Sequence, residues 1–498
     1  MIAINYAQLL RLAMPEVIVV ATALIVMATD LLVLRRCKTA VRFSVAAVLG
    51  SLGCAAAIVR LLLAPETANI LDGMLIANPL THLLQIALLV LSVFTLLLSI
   101  NSKFTEHVGE FVLLILVATA GMLFLVATQD LLVIFISLEL LSLSLYILAA
   151  FNKRSAQSWE AALKYYLFGG MSAAFLLFGF SLLYGLSNST SLSHIAAAIH
   201  GPALNPLLVI AIGTTAIGLG FKVAAVPFHF WAPDVYQCAS APSAAFIASG
   251  SKVASFFLFF QLMALGFVGA EGSAAWSHLV RGWVPVLALM ATASMLLGNL
   301  VAIRQTSLRR LLAYSAIAHA GYMLLAVLAH TQQSLAALLY YVITYALATL
   351  GAFAVIAVVE DQKGGDDLSN FDGLSRQSPV LSFCLAIFIL SLAGIPPLAG
   401  FFAKFYLFVA VLNSASGSMG LLWLVVLAIA MSAVSLYYYL RVLKRVYVAP
   451  LPADANKFNS PVLSQVLLLL LAASVILFGC APQLMLRWIE TAIRASGL

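Results

Sequence analysis

The sequence predicts an all-α polytopic membrane protein of about fourteen transmembrane helices, arranged as two inverted five-helix repeats that each contain a broken helix. Three observations carry that prediction. Hydrophobic residues make up 64% of the 498 residues and charged residues only 9%, whereas a soluble globular chain carries about 25% charged residues. Apolar runs of bilayer-spanning length, about 20 residues each, follow one another with short polar gaps. Two of the runs are interrupted by proline near their middle, at Pro227 and at Pro396-Pro397. The 18 acidic and 25 basic residues cannot solvate a water-soluble body of this size, so soluble enzymes, nucleic-acid binders and secreted disulfide scaffolds are excluded.

Taken in order, the first long run (14–34) ends in Arg35, Arg36, Lys38 and Arg42, which reads as a retained span with its C-terminal end in the cytoplasm. Runs follow near 41–63, 79–99, 110–128, 130–151, 160–186, 205–229, 239–267, 281–303, 309–330, 334–360, 379–412, 420–446 and 462–486. Alternate gaps hold Lys103, Lys153, Arg154, Arg304, Arg309, Arg310, Lys363, Arg376, Arg441, Lys444, Arg445 and Lys457, while the opposite gaps hold only Arg11, Arg60, Arg281, Arg487 and Arg494. Counted with the first cluster, this is about a threefold excess on one side, and it places both termini on the outer face. The most polar stretch, 360–376, reads as a cytoplasmic loop. The chain thus divides into N-terminal spans (1–105), a first five-helix repeat (106–270), a second (271–450) and a C-terminal span (451–498). The proline breaks lie five spans apart, an odd number that inverts one repeat relative to the other.

Cys37, Cys54, Cys238, Cys384 and Cys480 are scattered singly, which reads as small buried hydrophobes rather than a zinc or iron–sulfur site. No dinucleotide-type glycine motif is present, so any redox cofactor belongs to a partner.

Several charges sit where lipid would reject them. Glu139, Lys222, Lys252 and Lys404 fall inside apolar runs, at about 2.5–3.5 kcal/mol each on insertion scales. Lys164 lies about one turn inside its helix, where snorkelling to the interface competes with a buried role. A lone ammonium in low dielectric gives up its proton readily and a nearby carboxylate restores it. Glu139 is the only deep carboxylate, so an ion pair between Glu139 and Lys222 is expected. Lysines whose proton affinity is set by geometry give a protein without a cofactor a means of moving protons. Pro227 and Pro233, and then Pro396 and Pro397, should break the helices that carry Lys222 and Lys404. Such breaks are tolerated only against protein or a water-filled cavity, and in transporters they mark the ion path. His229 and His319 are candidate relays near neutral pH, against the plainer reading of hydrogen-bonded structural histidines. Asp234 reads as a helix-terminus or turn residue rather than a relay group, and Tyr437-Tyr438-Tyr439 as an interfacial belt.

These stretches also carry a family resemblance. Phe221-Lys222-Val223-Ala224-Ala225-Val226-Pro227-Phe228-His229-Phe230-Trp231-Ala232-Pro233-Asp234-Val235-Tyr236-Gln237 resembles the subunit N family of the bacterial proton-pumping NADH–quinone oxidoreductase (complex I), related to the Mrp-type antiporter subunits. Glu160-Ala161-Ala162-Leu163-Lys164-Tyr165-Tyr166, Phe371-Asp372-Gly373-Leu374 and Ser391-Leu392-Ala393-Gly394-Ile395-Pro396-Pro397 extend the likeness over about residues 75–450. The resemblance implies that Glu139, Lys222, Lys252 and Lys404 are proton-channel residues, with Lys164 auxiliary. It implies a multi-pass subunit of the bacterial inner membrane that binds no cofactor or metal itself. NADH, FMN, iron–sulfur clusters and quinone would be handled in other subunits, next to neighbouring antiporter-like and small membrane subunits. The alternative is a subunit of a multi-subunit Mrp-type cation/proton antiporter, and a third reading is a scaffold whose buried charges only fix packing. Two positions depart from the family: Cys238-Ala239-Ser240-Ala241-Pro242 where Gly-Ala-Pro-Thr-Pro is usual, and Ala403 where glycine usually precedes the lysine. A long lateral amphipathic helix at the C-terminus, as in the largest antiporter-like subunit of the complex, is not expected.

Overall fold

The computed structural model describes residues 6–63, 67–199, 205–276, 278–414, 420–451, 458 and 461–497. The chain opens with α1 (Tyr6–Leu12), α2 (Met14–Leu32) and α3 (Thr39–Leu63), then a hairpin of β1 (Ala68–Ile70) and β2 (Leu75–Ala77), then α4 (Pro79–Leu98). The first repeat comprises α5 (Val108–Val126), α6 (Leu131–Ala149), α7 (Ala156–Ser187), α8 (Leu192–Ala198), α9 (Pro206–Val223), α10 (Trp231–Cys238), α11 (Ala241–Ala248) and α12 (Gly250–Gln261). A second hairpin, β3 (Ser273–Ala275) with β4 (His278–Val280), leads into the second repeat. That repeat comprises α13 (Trp283–Ala302), α14 (Leu308–Ala329), α15 (Gln332–Lys363), α16 (Leu374–Gln377), α17 (Pro379–Ala393), α18 (Ala399–Asn413) and α19 (Leu422–Tyr447), and is followed by α20 (Val462–Cys480) and α21 (Pro482–Ala495). Both hairpins are antiparallel, with Ala68 opposite Ala77 and Ser273 opposite Val280.

Thirteen segments among the described residues are long and apolar enough to cross a membrane. The two shorter helices α17 and α18 together supply a fourteenth span, as expected. The helix starts are written in local chemistry. Asn78 and Thr81 cap each other's backbone at α4, Thr331 and Ser334 do so at α15, and Asp130 accepts from the amides of Leu132 and Val133 at α6. These bonds satisfy amides that a helix start leaves without partners. Burial separates the centre from the rim: the spans of α14 and α15 are 94% and 89% buried, those of α2, α7 and α19 only 33%. The span of α11 and α12 is 100% buried, so both repeats contribute to the middle of the molecule.

Both expected breaks are present. α9 ends at Val223 and α10 begins at Trp231; α17 ends at Ala393 and α18 begins at Ala399. Pro227, Pro396 and Pro397 lie in these gaps, where a missing amide removes no helical hydrogen bond. Pro233 does not break the chain: it occupies the first turn of α10, the one part of a helix that tolerates proline. The 360–376 stretch is less loop-like than expected, since α15 runs to Lys363 and a 3₁₀ turn spans Leu368–Phe371. Lys457 lies outside the described residues. The last apolar run is also divided, and α21 is a short amphipathic helix with Met485, Ile489 and Ile493 buried and Trp488 exposed. Cys54 and Cys384 are buried as expected, but Cys37 and Cys480 are exposed and Cys238 is half-buried.

α13 and α14 cross through a pair of glycines. A Cβ on Gly298 would meet the Ala318 amide nitrogen at 2.5 Å, and one on Gly321 would meet the Ala291 carbonyl at 2.8 Å. Backbone cannot yield as a side chain does, so Gly298→Val should destabilise the protein by about 1–3 kcal/mol. The control Gly170→Val, with open space around it, should leave thermal unfolding of the purified assembly unchanged.

Candidate functional site

Three lysines at membrane depth, Lys252 and Lys404 buried and Lys222 half-buried, each lie at an irregularity in a span. Lys222 is in the last turn of α9, just before the first break. Its Nζ donates to the Ser142 hydroxyl on α6 and lies 5.7 Å from the Tyr146 ring and 5.8 Å from the Phe221 ring. Among the described residues no ion pair joins it to Glu139, contrary to the expected direct contact. Glu139 sits one turn before Ser142, half-buried at the edge of the exposed apolar stripe Leu132, Ile136, Leu143 and Ile147, and acts on the ammonium only through space. The register explains the outcome: Ser142 projects from α6 toward α9, and Glu139 lies off that line. The break is pinned by the Trp231 indole donating to Phe221 O at 3.0 Å, by Trp231 stacking on Tyr165 at 4.3 Å, and by the Val226 amide donating to Ser294 Oγ on α13 at 2.9 Å. His229 is buried within this break, and its Nδ1 has no protein partner.

Lys252 is 1% exposed. It donates to Ala316 O on α14 at 2.9 Å and lies 5.5 Å over the Tyr345 ring. The span that carries it is interrupted at Ser249, between α11 and α12. Sequence reasoning took this span as continuous, although Ser249-Gly250-Ser251 is a recognised kink composition.

Lys404 is one turn into α18 and 6% exposed. It donates to Ala393 O at 3.0 Å, Leu392 O at 3.3 Å and Ser432 Oγ at 2.8 Å. The first two are carbonyls at the C-terminal end of α17, freed because the helix stops there. Gly394 makes room: its φ is +86°, and a Cβ there would lie 3.2 Å from Nζ.

His319 lies between the last two lysines: its ring is 5.0 Å from that of Tyr345, which Lys252 faces, and 5.8 Å from that of Tyr322, which Lys404 faces. Its ring contacts the Tyr341 hydroxyl at 2.9 Å and the Tyr439 hydroxyl at 3.3 Å, and Tyr439 also bonds Ser315. A void of about 10 Å³, lined by His319, Tyr345, Ser391 and Gly400, separates it from the second break; that is room for about one water. Tyr438 and Tyr439 are fully buried and only Tyr437 is exposed, so the expected interfacial belt is corrected. Successive helical residues point about 100° apart, and two of the three face the core.

Lys164 stands apart. It is 42% exposed and pairs with Glu160 at 2.8 Å and Asp234 at 3.0 Å, on the lysine- and arginine-rich face. Asp234 also takes Arg310 at 2.8 Å, and neighbouring Arg309 pairs with Glu360 while donating to Gln237 O and Ala239 O. Asp234 lies in the first turn of α10, as expected of a helix-terminus residue, and also bridges α7 to α14. Its partners lie 70 and 76 residues away, beyond the reach of local spacing. Ser142 was findable, one turn from Glu139 on the same helix.

Fourteen spans in two inverted units, each with a broken span and a buried lysine, define an antiporter-like membrane subunit. The chain belongs to the NADH:quinone oxidoreductase/Mrp antiporter family, whose description matches residues 127–434. It is 55% identical to NADH-quinone oxidoreductase subunit N 2 of Acidobacterium capsulatum, over 98% of this chain and 99% of that one. It is 34% identical to subunit N of an Anaeromyxobacter species over 96% of each. A chain of respiratory complex I from Thermus thermophilus superposes with a TM-score of 0.77 at 33% identity, covering 95% of this chain and 98% of that one. A chain of the Mrp complex from a Dietzia species gives 0.81 at 19% identity, covering 97% of each, and so shares the fold.

Ser142→Ala removes the hydroxyl that accepts from the Lys222 ammonium. Bonds to charged groups contribute about 1.5–3 kcal/mol, so NADH-driven proton pumping by the assembled complex should fall at least several-fold. Ser142→Thr, which keeps the hydroxyl, should restore it.

Proposed function

We propose that this chain is the N-type membrane subunit of a bacterial NADH–quinone oxidoreductase and moves protons across the inner membrane while partner subunits carry electrons from NADH to quinone. The observation that carries the reading is the set of three lysines at membrane depth held by hydroxyls and main-chain carbonyls at breaks in their spans. That arrangement changes a lysine's proton affinity with small movements of neutral partners. Glu139 modulates Lys222 from a distance, His319 with its tyrosines relays between Lys252 and Lys404, and His229 serves the first break. Lys164 acts at the surface as part of the Asp234 bridge. The chain binds no cofactor itself; NADH, FMN, iron–sulfur clusters and quinone belong to partners. The lysine and arginine bias puts both termini on the outer side, and the working units are residues 106–270 and 271–450, flanked by 1–105 and 451–498.

The shared fold with an Mrp complex keeps a cation/proton antiporter subunit as the second reading. Detergent-solubilised assemblies purified through this chain should carry NADH:quinone oxidoreductase activity; an assembly without it favours the antiporter. Lys222→Ala and Lys252→Ala should each reduce NADH-driven pumping at least tenfold with the complex still assembled, measured by acidification of inside-out vesicles beside native electrophoresis. Normal pumping removes the altered lysine from the path, and loss of assembly alone supports a purely structural role.

A further inference from the structure

Asn299 lies in the last turn of α13 and is fully buried, although no charge and no helix break marks it. Its Nδ2 donates to Met295 O at 2.8 Å and to the Tyr322 hydroxyl of α14 at 3.0 Å, and its Oδ1 accepts from the Tyr438 hydroxyl of α19 at 3.0 Å. Chemistry fixes the orientation of the amide: a main-chain carbonyl only accepts, so the atom facing Met295 O is the nitrogen. The oxygen is left for Tyr438, whose hydroxyl then donates. Tyr322 and Tyr438 are themselves at most 1% exposed, so three helices meet at one side-chain amide out of reach of water. A leucine of similar volume would fill the same space without burying polar atoms. What the amide adds is direction, because a satisfied buried network fixes the groups it joins in one arrangement.

Both tyrosines bear on the cluster of Lys404 and His319. The Tyr322 ring centroid is 5.4 Å from Lys404 Nζ, and the ring stands at 88° to that of His319, 5.8 Å away. Tyr438 packs on Tyr439 at 4.5 Å, and the Tyr439 hydroxyl reaches His319 Nε2 at 3.3 Å. A ring face within about 6 Å of an ammonium favours it over the neutral amine. The hydrogen bonds of Lys404 go to Leu392 O, Ala393 O and Ser432 Oγ, all uncharged, so the ring adds to a small set of neutral contacts. The ionisable groups around the cluster are Tyr322 and His319 from α14, Tyr341 and Tyr345 from α15 and Tyr439 from α19, with Lys252 against Tyr345. The hydroxyl is the far end of the Tyr322 ring, and its bond to Asn299 sets how the ring lies against the ammonium.

We propose that Asn299 is a positioning residue for proton transfer at Lys404, holding the Tyr322 ring against the ammonium and, through Tyr438, the Tyr439 hydroxyl against His319. The proposal rests on the proton-moving function above and adds to it an uncharged residue that touches neither Lys404 nor His319. Asn299 exchanges no proton itself; it acts through the two tyrosines.

The test is the pH profile of NADH-driven acidification in inside-out vesicles that hold the whole complex. A lysine that must take up a proton stops working above a limiting pH, and weakening its hold on the proton moves that limit down. Asn299→Leu should lower the alkaline limb by about half a pH unit or more, and Tyr322→Leu should lower it at least as far. The double variant should go no further than Tyr322→Leu alone, since Asn299 acts through the ring. Tyr322→Phe keeps the ring and loses its tether, so its limb should fall between those of the unaltered protein and Tyr322→Leu. An assembled Asn299→Leu complex whose alkaline limb has not moved overturns the proposal, whether or not its pumping is lower throughout. Shifts that add in the double variant overturn it as well. Should Asn299→Leu fail to assemble, Tyr322→Phe, which lacks one oxygen atom, decides: an unmoved limb overturns the proposal and a lowered one supports it. If Lys404→Ala loses pumping while the Asn299→Leu limb stays in place, the positioning role alone is wrong; if Lys404→Ala pumps normally, the underlying function is wrong.

Discussion

An ammonium group withdrawn from water must be given oxygen, and a continuous helix has almost none to spare. Every interior carbonyl of a regular helix is already bonded to an amide four residues on, so a lysine kept in a membrane interior either adds a second bond to such a carbonyl, as Lys252 does at Ala316 of α14, or uses a place where the pattern is interrupted. Lys222 occupies the last turn of α9 and Lys404 faces the final carbonyls of α17. Both therefore sit at the negative end of a half-helix, where unpaired carbonyls and the helix dipole favour a cation. The breaks are what make Lys222 and Lys404 possible.

The rest of the architecture holds those breaks still. Trp231, Tyr165 and Ser294 fix the first, while Gly394 and Ser432 shape the second. Asp234 then ties α10 to α7 and to α14 at the charged face. The isolated worth of such half-exposed pairs is small, about 0–1 kcal/mol. Their importance is geometric: one carboxylate bridges helices from both repeats, so a shift of α14 is felt at the helix that follows the Lys222 break.

Much of this was legible in the chain. Span number, the breaks at Pro227 and Pro396-Pro397, and the unusual depth of Lys222, Lys252 and Lys404 follow from hydropathy and from the cost of charge in lipid. Contacts that depend on rotation about a helix axis were not legible. Glu139 looked like the partner of Lys222 because hydropathy put it at mid-span, yet it is half-buried and a hydroxyl one turn further on takes that place. Tyr437-Tyr438-Tyr439 looked like a belt because composition ignores which way each residue points, and two of them instead frame His319 and Asn299. For Lys164 the partner Glu160 lies within local reach on the same helix, but Asp234, 70 residues away, does not.

The replacement of a carboxylate by neutral acceptors changes the energetics of proton transfer. At an effective dielectric of 20, a full counter-charge at 4 Å contributes about 4 kcal/mol and at 8 Å about half that. A directly paired lysine would therefore be held protonated against a membrane step of about 2.3 kcal/mol per 100 mV. Hydroxyl and carbonyl partners contribute about 1.5–3 kcal/mol per bond to a charged group, which is the size of that step. In the proposed function, making or losing one such bond at Ser142, Ala316 or Ser432 matches in size the step that separates holding from releasing a proton. A site built for permanent charge would have placed Glu139 against Lys222, and this one keeps the carboxylate a turn away, where it biases the equilibrium without locking it.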